Sequence, residues 1–146
     1  MDEERYTLSS LIRKLLTIQD KIKEFYEKAA KESEVKLSNL FSLFYKEYEE
    51  INKKLIEAME RTITEFVLEP IYNLKIGHHI NNVMEIISNK DISNHEKAKH
   101  IEKEIMTLYD NISDKIKNLS PEISNLLANE NKKARLRLEK LKNFYS

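Results

Sequence analysis

The residues able to do chemistry in this chain are few and unevenly placed. All four histidines lie between residues 78 and 100. His78, His79, Asn82 and Glu85 stand close together, and His78 precedes Glu85 by two helical turns, a spacing that could offer a surface zinc site. The competing reading makes them ordinary residues of a connecting segment. His100 and Glu104 form an i, i+4 pair, either metal ligands or an exposed helix pair. Neither set supplies the ligand count of a tight site. Glu-x-x-His occurs nowhere in the chain, and there is no cysteine. The lack of cysteine removes disulfides, thiolate metal sites, iron–sulfur clusters and cysteine nucleophiles. A single glycine leaves no glycine-rich phosphate loop. No Ser/His/Asp arrangement is inferable, and no catalytic residue is assigned. Lys132, Lys133, Arg135, Arg137, Lys140 and Lys142 make the last segment basic. With no aromatic platform beside them, they fit a solvated helix face better than a nucleic-acid surface. The seven tyrosines are better explained by packing than by redox work.

Long helices must position these groups. The chain has 146 residues, 34% charged and 40% hydrophobic, enough for one domain with a real core and too apolar for a disordered polymer. One glycine and two prolines give little material for a β-sandwich. A net charge of zero provides no global field toward nucleic acid or an anionic membrane. The start, "MDEERYTLSS", is acidic and lacks an apolar signal core. No apolar run approaches the roughly 20 residues a bilayer requires. The expectation is a cytoplasmic protein with no membrane partner.

Apolar residues spaced three and four apart mark four long helices. The first spans about 5–31, with Leu8, Leu11, Ile12, Leu15, Ile18, Ile22, Phe25, Tyr26 and Ala29 inward. Ser33 is a candidate N-cap for a second helix over about 34–66. A crossover over about 67–93 follows, with a short helix starting at Pro70 and a face of Ile76, Ile80, Val83 and Ile87. Ser93 with Glu96 gives a capping-box pattern for the third long helix, about 94–118. Ser120 with Pro121 opens the last, about 121–144, with Ile123, Leu127, Ala134, Leu138, Leu141 and Tyr145 inward. The predicted fold is all-α: two antiparallel helical hairpins, about 5–66 and 94–144, joined by a long, partly helical crossover that lets helices two and three run parallel. One long central crossover marks the ferritin-like class of four-helix bundles.

A constant shift of 83 positions pairs "IQDKIKEFYEKA" (18–29) with "IEKEIMTLYDNI" (101–112), and "LFYKEYEEINKKL" (43–55) with "LLANENKKARLRL" (126–138). Tyr26 meets Tyr109, and Glu47 meets Glu130. One shift holding through helix, loop and helix implies a duplicated hairpin.

On "EFYEKAA" (24–30), "EKEIMTLYD" (102–110) and "LANENKKARLRLEKL" (127–141), the chain resembles the rubrerythrin branch of the ferritin-like superfamily. The resemblance covers the four long helices but not the crossover. It implies a di-iron site built from one Glu on each of two helices and a Glu-x-x-His pair on each of the other two. Carried over by register, those positions are Gln19 and Glu102, Tyr48 with Ile51, and Asn131 with Ala134. A further inward Glu of the family falls at Ile105. Glu102 alone of the seven retains its ligand type. The reading is therefore a vestigial di-metal layer in which Gln19 and Asn131 donate to Glu102, the Tyr48 hydroxyl joins them, and Ile51, Ile105 and Ala134 pack. Left without partners, a buried Glu102 would be held protonated.

The function expected on this reading is a non-catalytic ferritin-like bundle acting as a structural or protein-interaction module, with no cofactor. Its partner would be a second copy or another protein, with Leu16, Tyr45, Ile56 and Ile63 as the dimer face. The alternative is a metal-binding relative, handling iron or reducing peroxide, with iron or another divalent metal at a relocated site drawn from Glu102, His78, Glu85, His100 and Glu104. A third reading is a nucleic-acid accessory protein using the basic last helix.

Overall fold

The computed structural model describes residues 5–62, 70–72 and 74–145. Among these the chain is mostly helical: α1 (Leu8–Glu32), α2 (Val35–Thr62), α3 (Ile76–Ser88), α4 (Asn94–Ile116) and α5 (Pro121–Asn143). Two short strands, β1 (Arg5–Tyr6) and β2 (Ile71–Tyr72), pair antiparallel. No helix among the described residues is long and apolar enough to cross a membrane.

Local chemistry sets the helix ends. α1 starts at Leu8, later than the spacing predicts, because Thr7 and Ser10 form a reciprocal cap. Ser10 N–H donates to Thr7 Oγ1 at 3.1 Å, and Thr7 N–H donates to Ser10 Oγ at 2.9 Å. Arg5 and Tyr6 are thereby freed to pair with β2. Ser33 does not cap α2. Its hydroxyl donates back to the Ala29 carbonyl at 2.6 Å, closing α1, while the Glu34 carboxylate accepts from Leu37 N–H at 2.9 Å. A carboxylate there also suits the positive end of the helix dipole. Ser93 and Ser120 cap α4 and α5 as their positions predict. The second helix was expected to run to about 66; it is seen to Thr62, and residues 63–69 lie outside the described set.

The crossover differs more. Pro70 precedes β2 rather than opening a helix, and α3 begins at Ile76. Lys75 bridges the two with φ 51°, in the left-handed region, and its side chain makes no capping bond. A side chain with a Cβ is held there at a cost of about 1 kcal/mol. Lys75→Gly should therefore raise stability to urea by about 1 kcal/mol; an unchanged midpoint would show that the residue is not held left-handed.

Pairwise contacts fix the directions of the long helices. Gln19 meets Asn52 and Tyr26 meets Tyr48, so α1 and α2 run antiparallel. Ser113 meets Ser124 and Glu102 meets Arg137, so α4 and α5 do likewise. Tyr109 bonds Gln19 while Tyr26 bonds Glu102, which makes α1 and α4 antiparallel and hence α2 and α4 parallel. α3 packs on α4 and α1. The core follows the apolar stripes, and all nine residues expected to face inward from α1 are buried. Tyr145 is the exception on α5. It is 68% exposed, because the helix ends at Asn143 and the ring turns onto His95 with centroids 4.6 Å apart.

Candidate functional site

Two residues on each long helix place polar groups at the centre of the bundle, seven positions apart on α1, α4 and α5 and four apart on α2. They are Gln19 and Tyr26 on α1, Glu102 and Tyr109 on α4, and Glu130 and Arg137 on α5, with Tyr48 and Asn52 projecting from α2. Seven residues are two turns, so each pair shares a face. All eight are buried.

Glu102 is fully buried and has three donors. Tyr26 Oη donates to Oε2 at 2.5 Å. Tyr48 Oη lies 3.0 Å from both carboxylate oxygens. Arg137 Nε donates to Oε1 at 2.8 Å. Arg137 spends its other donors on Glu47 Oε1 at 3.0 Å and on Tyr48 Oη at 3.2 Å, and its guanidinium lies 4.5 Å from the Tyr48 ring centroid. The result is a closed cluster in which a buried anion and a buried cation neutralise each other and both are hydrogen-bonded, the condition under which buried charge is tolerated. A second cluster sits two turns along the bundle. Tyr109 Oη donates to Gln19 Oε1 at 2.6 Å, Gln19 Nε2 to Asn52 Oδ1 at 2.7 Å, and Asn52 Nδ2 to Asp20 Oδ1 at 2.9 Å.

The two clusters are related by the 83-residue shift. Tyr26 of the first half donates to Glu102 of the second, and Tyr109 of the second half donates to Gln19 of the first. Each half thus donates to the other's residue, and the sequence repeat is matched by a repeated hydrogen bond in the core. The symmetry breaks at the Gln19/Glu102 pair, which carries one negative charge instead of two, and one buried guanidinium balances it.

Burial, reinforced by the Glu102 charge, pushes the Tyr26 hydroxyl well above the ordinary tyrosine range. Burial does the same for Tyr48 against the opposing pull of Arg137, and for Tyr109, where the Glu130 and Glu102 charges add to it. Burial disfavours charge on Arg137, but Glu102 and the neighbouring tyrosines more than offset it and hold the guanidinium cationic. Glu130 is buried as well. Lys133 reaches its Oε1 at 3.4 Å, while Oε2 has no donor among the described residues.

Several expectations are corrected. Gln19 does not donate to Glu102, because it lies two turns from that carboxylate and bonds Tyr109 and Asn52 instead. Asn131 is only half-buried and donates to the Met106 carbonyl at 2.7 Å; its neighbour Glu130 takes the inward position. Tyr48 does reach Glu102, and Ile51, Ile105 and Ala134 are packed in the core. Glu102 is not without partners, since three donors meet its carboxylate. Arg137 was read as part of a solvated basic face, yet it is 1% exposed. One helical signal points to it: it stands three residues after Ala134 and four before Leu141, on the inward stripe. It is also the repeat partner of Lys54.

The histidine sets separate. His100 is exposed, and Glu104 turns instead to the crossover, accepting from Asn82 Nδ2 at 2.9 Å and meeting His79 Nδ1 at 2.6 Å. His78 is exposed and lies 3.3 Å from Asn82, and Glu85 is exposed. Among the described residues no group of three or more His, Asp or Glu side chains is placed to hold a metal ion. The residues of the central layer do not fit the iron pair that the resemblance implies. The layer has one carboxylate of the seven positions, its oxygens are taken by three donors, and a guanidinium stands 2.8 Å away. A divalent ion placed there would face that cation at close range.

No family model matches the chain, and neither a curated protein nor a solved structure matches it.

Proposed function

We propose that this protein is a non-catalytic, ferritin-like bundle related to the rubrerythrins, in which an internal guanidinium has taken over the charge-balancing work of the metals, and that it acts as a structural or protein-interaction module. The observation that carries this reading is the Arg137–Glu102 contact at 2.8 Å, both side chains buried. In a di-iron bundle the cations between the helices neutralise a cluster of carboxylates. Here one fixed cation, covalently part of α5, neutralises one carboxylate and links α2, α4 and α5 through Glu47, Tyr48 and Glu102. Glu102 and Arg137 are both buried and turned onto each other and onto Tyr26, Tyr48 and Glu47, so the cluster presents no exposed group to a substrate. The helix directions, with α2 and α4 parallel on either side of one crossover, support this reading.

The test is metal loading. Purified protein, dialysed against ferrous iron, zinc or manganese and then desalted, should retain no stoichiometric metal, and iron-loaded samples should not turn over peroxide. Stoichiometric retention that disappears in Glu102→Ala would overturn the reading in favour of a metal-binding relative.

A further inference from the structure

The crossover helix α3 covers one broad side of the bundle, packing on α1 and α4. The opposite side, formed by α2 and α5, carries no covering element among the described residues. Exposed apolar residues gather there. Leu43 on α2 is 42% exposed and Leu136 on α5 is 56% exposed. Together with Leu40 and Phe144 they line an open groove of about 710 Å³ between the two helices. Scattered exposed leucines need no explanation, but a shared groove of them marks a contact surface.

We infer that a second copy of this chain covers the α2–α5 face, related by a two-fold axis parallel to the bundle. The inference deepens the reading of the protein as an interaction module by naming its partner. Charge and register carry it. The Arg137–Glu47 contact sets these two residues level on antiparallel helices. Glu50, about one turn further along α2, then comes level with Ala134, within one turn of Lys132 and Lys133, and Lys46 comes level with Leu138, next to Glu139. A two-fold parallel to the helices lays each α2 over the α5 of the other copy without changing height. Glu50 of one copy then meets Lys132 of the other, Lys46 meets Glu139, and the apolar groove closes on its own image. Glu50, Lys46, Lys132 and Glu139 are all exposed and form no ion pair among the described residues. The chain's zero net charge removes the global repulsion that would oppose self-association. This face differs from the one expected from sequence. Of that expected face Ile56 is exposed, but Leu16 and Tyr45 prove to be partly buried against the core, and Ile63 lies outside the described residues.

Sedimentation equilibrium of the full chain tests it. The wild type should be mostly dimer at about 100 µM, as a Kd in the micromolar range or tighter requires. Leu136→Asp should weaken the dimer at least ~10-fold with unchanged helical circular dichroism, because the side chain is already exposed in the single chain. Glu50→Lys should also weaken it, and adding Lys132→Glu to Glu50→Lys should restore the wild-type Kd to within about threefold, as expected for a directly coupled charge pair. A wild type that stays monomeric at that concentration overturns the inference. So does a dimer indifferent to Leu136→Asp, or a double swap no better than Glu50→Lys alone. None of these outcomes bears on metal content, so the inference and the functional reading fail separately.

Discussion

Arg137→Met should destabilise the fold by about 3–5 kcal/mol, the range for removing one partner of a buried ion pair. The substitution keeps most of the side chain's volume and deletes the cation. Glu102 would then sit fully buried with only Tyr26 and Tyr48 to stabilise its charge, and Glu47 would lose its donor. Replacing both ends of the pair should be milder than the single changes suggest. Glu102→Leu combined with Arg137→Met should show a coupling of at least about 1 kcal/mol relative to the sum of the singles, because no uncompensated charge is left behind. The neighbouring cations supply the control. Arg135→Met and Lys140→Met, both at exposed positions, should stay within about 0.5 kcal/mol of wild type. Urea unfolding of the five variants measures all of this. Equal, small effects at 135, 137 and 140 would return Arg137 to the surface and remove the cluster.

The second large effect is with pH. Tyr26, Tyr48 and Tyr109 have hydroxyls raised above their ordinary range by burial. A raised folded-state value means that the unfolded chain loses its protons first, at about pH 10. The stability these groups contribute is therefore fully present below about pH 10 and is lost as the pH rises above it. Each tyrosine contributes a slope of about 1.36 kcal/mol per pH unit, so three together approach ~4 kcal/mol per unit. The protein should unfold cooperatively and steeply in alkali. Tyr109→Phe should reduce the alkaline slope by about a third while weakening the neutral-pH fold through the lost bond to Gln19. An alkaline slope unchanged by the substitution would mean that Tyr109 is not protonated and buried as described.

The helices were legible because burial at positions three and four apart leaves a direct trace in the order of apolar residues, as α1 illustrates from Leu8 to Ala29. Caps were legible where one serine stood alone, at Ser93 and Ser120. They were misread where two polar residues competed, since Ser33 and Glu34 can each satisfy a helix end and only the chain's path decides between them. The crossover was the least legible part. Its course depends on a pairing between Arg5–Tyr6 and Ile71–Tyr72, residues far apart in sequence with no periodic signal. At the centre, the register carried over from the resemblance located Glu102 and Tyr48. Arg137 was missed because charge is the usual mark of a solvated position, and composition cannot distinguish a cation that faces water from one that faces a buried carboxylate. What separated them was phase: Ala134, Arg137 and Leu141 lie on one stripe.

A crystal structure of the purified protein, grown after exposure to ferrous iron and measured at the iron absorption edge, tests the central claim most directly. It should show the Arg137 guanidinium within hydrogen-bond distance of Glu102 and Glu47, both tyrosine hydroxyls on Glu102, and no anomalous peak in that layer. An iron peak on Glu102, with Arg137 displaced from the carboxylate, would contradict it.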